Sequence, residues 1–157
     1  MSTNKVYQIL WADDEIDLLK PHILFLQSKG YEVTPALSGN DAIDAVQNQS
    51  FDLIFLDEHM PGLTGLDTLQ RIKELAPFVP IVMVTKSEEE ELMNQAIGGK
   101  ITDYLIKPVN PNQLLLSLKK NLHQSSIINE AMTMNYRQEF AQLSAQMSDR
   151  LSLEEWK

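Results

Sequence analysis

At 157 residues, 43% hydrophobic and 22% charged, the chain has the length of one ordinary domain plus a remainder, and a composition that indicates neither disorder nor a fibrous repeat. Its 22 acidic against 13 basic residues give a net charge of −9, which argues against covering nucleic-acid phosphates, so no direct nucleic-acid contact is expected. The lack of cysteine excludes disulfides, thiolate metal sites and cysteine nucleophiles; with no apolar run near the ~20 residues of a bilayer span and no signal-peptide order at the N-terminus, a cytoplasmic chain without a membrane partner is expected.

The first apolar run, 6–12, reads as a strand. Helical spacing follows over 17–29, with Pro21 expected to start or bend that helix and Gly30 to close it. A second strand covers 31–36, and a helix over 41–49 follows Ser38-Gly39. The third and fourth strands, 51–56 and 80–84, are almost continuously apolar, as strands buried on both faces must be. Between them a helix over 66–75 follows Gly65 and stops before Pro77. A fourth helix opens at Ser87, where Glu90 completes a capping-box pattern, and closes at Gly98-Gly99. The fifth strand, 104–106, leads to a helix beginning near Pro111. Strands and helices alternating at this pitch imply right-handed crossovers. The expected fold over residues 5–122 is therefore α/β, a doubly wound (βα)5 domain with a five-stranded parallel sheet of order 2-1-3-4-5.

After about residue 122 no strand appears. Ile127, Ile128, Ala131, Met132, Tyr136, Phe140, Leu143 and Met147 follow steps of three and four, the pattern of one amphipathic helix. Ser152 to Glu155 then spells a second capping box close to where the chain stops. Residues 123–157 are expected to form a helical extension or connector, and the chain to be a piece cut from a longer protein. The apolar stripe needs a cover: its own domain, missing downstream helices, or another copy, which leaves a homodimer open.

The chemistry-bearing residues sit at strand ends. Asp13 and Asp14 follow the first strand, Asp57 the third, Thr85 the fourth and Lys107 the fifth. Ligands of open parallel sheets bind at that carboxyl edge, beside the point where strand order reverses, here between strands one and three. The three carboxylates should converge there and repel one another unless a cation neutralises them. Oxygen-only donors favour Mg2+, which takes one or two carboxylates together with phosphate oxygens. Lys107 adds a point charge suited to a phosphoryl group, and Thr85 a hydroxyl donor.

Taken singly, these features have plainer readings. An Asp-Asp pair after a strand often caps a helix, and Asp57 before Met60-Pro61-Gly62 could mark only a turn. Five such residues at the ends of four strands, on one ligand-binding edge, favour a site. The acidic run Glu88 to Glu91 is read as complementing a helix dipole. His22 and His123 have no partner motif.

The segments ADDE at 12–15, FLDEHMPGLTG at 55–65, VTKS at 84–87 and YLIKP at 104–108 resemble the receiver domain of two-component response regulators. The resemblance implies Asp57 as phosphoacceptor, Asp13 and Asp14 as acidic metal-site residues, and the His59 backbone carbonyl as a further metal ligand. It also implies that Thr85 and Lys107 contact the phosphoryl group, that Tyr104 is the switching aromatic, and that a cis bond precedes Pro108. The partners it implies are a sensor histidine kinase and a downstream effector. Catalysis would be limited to Mg-dependent self-phosphorylation from a donor and autodephosphorylation. The stretch at 9–33, with the helical extension, further resembles PorX-like regulators carrying a PglZ-type effector.

Two other functions compete. An aspartyl-phosphate phosphohydrolase of the haloacid-dehalogenase kind needs a second acid two residues after the nucleophile, where His59 stands. A receiver-like dimerisation module that is never phosphorylated would have no need of the intact set Asp13, Asp14, Asp57, Thr85 and Lys107. One residue departs from the receiver pattern: Lys86 replaces the usual small residue after the hydroxyl and is expected to obstruct the pocket.

Overall fold

A computed structural model describes residues 5–130, with side chains as far as residue 122. The five strands are β1 Gln8–Ala12, β2 Glu32–Ala36, β3 Leu53–Leu56, β4 Ile81–Thr85 and β5 Asp103–Ile106. All pairings are parallel and the order is β2-β1-β3-β4-β5, as expected. The helices between and after them are α1 Lys20–Ser28, α2 Gly39–Asn48, α3 Gly65–Leu75, α4 Glu90–Gly98 and α5 Pro111–Glu130.

Strand alternation divides the core between two faces. Leu10, Ala12, Ile54, Leu56, Ile81 and Met83 pack with Ala42, Leu69, Ile72 and Ala96 from α2, α3 and α4. The intervening Ile9, Trp11, Leu53, Phe55, Val82 and Val84 are also fully buried, and Trp11 meets Phe55 with ring centroids 5.2 Å apart. Both sets are large and aliphatic or aromatic, which explains why β3 and β4 read as unbroken apolar runs.

Local capping chemistry sets most helix starts. The Ser38 hydroxyl accepts from Asp41 N at 3.1 Å to open α2, and Thr64 does the same for Asp67 N at 3.1 Å to open α3. Two expectations need correction. The helix over 17–29 divides into a 3-10 turn, Ile16–Leu19, and α1, with Pro21 in the first turn of α1, where a missing N–H costs nothing. The capping box at Ser87 and Glu90 does not form: α4 begins at Glu90, and the Ser87 hydroxyl accepts from Glu89 N at 3.3 Å. The Ser87 carbonyl is taken by the Tyr104 hydroxyl at 2.9 Å, which ties this segment to β5 instead of to a helix.

Residues 5–121 belong to one compact unit, and α5 runs on past the expected boundary at 122 to Glu130. The remainder of the expected extension, 131–157, lies outside the described residues. Among the described residues no helix is long and apolar enough to cross a membrane.

Candidate metal and phosphoryl site

At the carboxyl edge the ends of β1 and β3 lie side by side, because Ala12 pairs with Leu56. The next residue of each strand carries an acid. The Asp13 backbone N–H donates to Ala36 O at 2.9 Å and that of Asp57 to Ala12 O at 3.0 Å, so both acids are anchored by the sheet before their side chains do anything. One oxygen from each of Asp13, Asp14 and Asp57 lies within 4.8 Å of the others. Asp13 is 0% and Asp57 4% exposed, whereas Asp14 is open to solvent.

Each buried carboxylate spends one oxygen on the backbone. Asp13 Oδ1 accepts from Glu15 N at 2.8 Å and Asp57 Oδ1 from Glu58 N at 2.8 Å. The other two oxygens face Lys107, whose Nζ lies 2.5 Å from Asp13 Oδ2 and 3.3 Å from Asp57 Oδ2. Lys107 is held by its own backbone N–H, which donates to Thr85 O at 2.9 Å. The peptide bond that follows, Lys107-Pro108, is cis.

One ammonium cannot balance three carboxylates. Burial pushes the Asp13 carboxyl above the ordinary carboxylate range; the hydrogen bonds from Lys107 and Glu15 oppose this and the Asp57 charge adds to it. Burial also works to lower the Lys107 pKa, but the hydrogen bond to Asp13 and the charges of Asp57 and Asp13 outweigh it, so the ammonium holds its proton above the ordinary lysine range. An all-oxygen cluster with excess negative charge, partly buried and reached from solvent through Asp14, fits a hard divalent cation such as Mg2+.

Thr85 ends β4, is fully buried, and its hydroxyl has no hydrogen-bond partner among the described residues. A buried, unpaired hydroxyl is costly to a fold and therefore points to a ligand. Tyr104 on β5 is half-buried against the α2–α4 side of the core. His59 lies two residues beyond Asp57 with an exposed side chain, and its ring is not part of the acid cluster.

Four participants were not singled out from sequence. Glu58 is buried beside Asp57, its Oε1 accepts from Leu66 N at 2.9 Å at the start of α3, and burial pushes its pKa up despite that bond. Gly65 packs against the backbone of Asp57: a Cβ there would stand 2.3 Å from Asp57 O. Glu15 pairs with Lys86 at 3.4 Å, and His22 reaches Val109 O at 2.7 Å. The acid directly after Asp57 was a visible signal, and Gly65 closes the same loop; the contacts of Glu15 and His22 join distant parts of the chain.

The response regulator receiver domain model matches residues 9–119. The alginate biosynthesis transcriptional regulatory protein AlgB of Pseudomonas syringae pv. tomato is 36% identical over 121 residues, covering 77% of this chain and 27% of that protein. The transcriptional regulatory protein ZraR of Escherichia coli K12 is 36% identical over 126 residues, covering 80% of this chain and 29% of that protein. The chain thus spans less than a third of the length of these curated relatives. Among solved structures, a CheY-like receiver domain protein from Methanospirillum hungatei superposes with a TM-score of 0.75 at 28% identity, covering 78% of this chain and 98% of that one. Chemotaxis protein CheY4 of Vibrio cholerae gives 0.69 at 31%, covering 74% and 98%. These comparisons lend no support to the narrower resemblance to PorX-like regulators with a PglZ-type effector.

Proposed function

The chain belongs to the response regulator receiver domain family, and from that premise we propose that it accepts a phosphoryl group on Asp57 from a sensor histidine kinase and changes conformation to control an output. The observation that carries this reading is the joint placement of Asp57 Oδ2 against Lys107 Nζ and the unpaired Thr85 hydroxyl at the same sheet edge.

In the proposed transfer, Asp57 Oδ2 attacks phosphorus, the P–N bond of a phosphohistidine breaks, and the imidazole leaves with that electron pair. Asp57 Oδ1 stays bonded to Glu58 N–H, which orients Oδ2 toward the donor. Lys107 turns from the carboxylate to the phosphoryl oxygens, and the Thr85 hydroxyl donates to another. Asp13, Asp14, Asp57 and the His59 carbonyl would hold Mg2+, which when bound would supply charge neutralisation on the transferred group. Attack of water on the acyl phosphate returns the free carboxylate, so turnover is confined to the chain's own phosphorylation and dephosphorylation.

Movement of Thr85 toward the phosphoryl group would free space beside β4 for Tyr104 to turn inward, breaking its bond to Ser87 O and shifting a pre-existing equilibrium of the α4–β5–α5 face. The output is a downstream effector domain or protein, and the working place is the cytoplasm. His59 in place of a second acid weighs against a phosphohydrolase. Labelling with a phosphohistidine or acetyl-phosphate donor in Mg2+ tests the reading: the parent should take up phosphate and Asp57→Asn should not. Equal labelling of the two would overturn it.

A further inference from the structure

We infer that His22 is a positioning residue for Lys107, and through it for phosphoryl transfer at Asp57; the inference rests on the reading of the site just proposed. His22 lies on α1, a short way after Asp14 but far in sequence from Asp57, Thr85 and Lys107. Its Nε2 stands 2.7 Å from the carbonyl oxygen of Val109, two residues beyond Lys107. Its ring meets the indole of Trp11 edge-on, with centroids 6.5 Å apart and planes at 90°. Trp11 is fully buried on β1, two residues before Asp13. One imidazole therefore touches both the strand that presents Asp13 and the loop that presents Lys107.

The chemistry fixes the direction of the bond. A carbonyl oxygen only accepts, so Nε2 carries a hydrogen and donates it. His22 Nδ1 is buried without a partner among the described residues, and the residue lines a cleft of about 340 Å³ together with Glu15, Lys86, Lys107 and Val109.

Val109 is buried in the core and the Lys107-Pro108 bond is cis, but the loop from Lys107 to Asn110 has few other hydrogen bonds. At its start Lys107 N donates to Thr85 O at 2.9 Å. At its end Asn110 and Gln113 cap α5 reciprocally, Asn110 N to Gln113 Oε1 and Gln113 N to Asn110 Oδ1, each at 2.9 Å. Between these, the His22 bond is the described hydrogen bond that ties the loop to the opposite helix. The Lys107 stem is long and flexible, so its ammonium finds two carboxylate oxygens reproducibly only if its backbone is held. Loosening Val109 should let Lys107 drift, and misplacement of about 1 Å costs up to about 100-fold in transfer chemistry.

The test uses the full chain and three variants. His22→Phe keeps an aromatic edge against Trp11 but removes the donor; His22→Gln places an amide N–H near the Nε2 position; His22→Asn carries an amide too short to reach Val109. Beryllofluoride affinity in saturating Mg2+ reads the complete phosphoryl site, and Mg2+ affinity alone reads the acids. His22→Phe and His22→Asn should weaken beryllofluoride about 10-fold with Mg2+ affinity not weakened, and His22→Gln should restore the parent value. A rescue of that kind is not what loss of packing would give. Undiminished beryllofluoride affinity in whichever of the Phe and Asn variants folds, or a folded Gln variant no better than they are, overturns the inference. A parent that binds no beryllofluoride refutes the reading of the site itself and this inference with it.

Discussion

Lys86, directly after β4, and Glu15, two residues after Asp13, form an ion pair of 3.4 Å, and both line the cleft that Lys107 enters. The side chains are 68% and 43% exposed, so the pair contributes little to stability, within ~0.5 kcal/mol. The pair directs the four-carbon stem of Lys86 toward Glu15 on the β1 side of the site, and the consequence we expect is steric and kinetic. Lys86→Ala should speed loss of phosphate from Asp57 in Mg2+, by about two- to tenfold, with the melting temperature unchanged. Glu15→Gln should act in the same direction by releasing the ammonium. An unaltered or slower rate in Lys86→Ala would show that the side chain does not gate the site.

Thr85 separates a demand of function from a demand of folding. Its hydroxyl is buried and unpaired, so Thr85→Val, nearly the same shape without the polar group, should leave the unliganded protein as stable or more so by up to ~1 kcal/mol. The same change should weaken beryllofluoride binding about 10-fold or more, since it removes a donor aimed at developing charge. Crystals with and without beryllofluoride should differ at Thr85 and Tyr104 in the parent; unmoved side chains would sink the proposed switch.

Acidification should stabilise the metal-free protein before it denatures it. Burial raises the pKa of both Asp13 and Glu58 above the ordinary carboxylate range in the folded state. In the window between ordinary and raised values the folded state binds more protons than the unfolded one. The stability these two groups contribute is full below the ordinary range and is lost as pH rises through the raised values. Melting temperature in EDTA should therefore increase as pH falls from neutral into that window, and Asp13→Asn should flatten the rise. Saturating Mg2+ should reverse the sign, because protons then compete with the ion for the same oxygens.

Two glycines should respond oppositely at the site. At Gly65 a methyl group would stand 2.3 Å from Asp57 O and 2.7 Å from Glu58 Cα, against backbone that cannot swing aside. Gly65→Ala should cost ~2–4 kcal/mol and weaken Mg2+ binding by displacing the loop after β3. Gly30 has open space around it but a φ of +96°, so Gly30→Ala should cost only ~1–2 kcal/mol and leave Mg2+ affinity untouched. Chemical denaturation with parallel Mg2+ titration distinguishes the two.

The alternation of apolar runs and 3.6-residue spacing determined the sheet, its order and the edge at which Asp13, Asp57, Thr85 and Lys107 meet. Those signals are local: side-chain direction repeats every two or 3.6 residues, and right-handed crossovers leave few ways to arrange five such units. Ser38 at the start of α2 was legible for the same reason, since its hydroxyl acts three residues away. Ser87 shows where local reading ends. A capping-box pattern stands in the sequence at Ser87 and Glu90, but the Tyr104 hydroxyl holds the Ser87 carbonyl, and α4 begins later. The contact of His22 with Val109 and the pairing of Lys86 with Glu15 depend on how loops leave the ends of different strands. No short window of sequence carries that information, because each contact exists only once the sheet has brought together segments that the chain keeps apart.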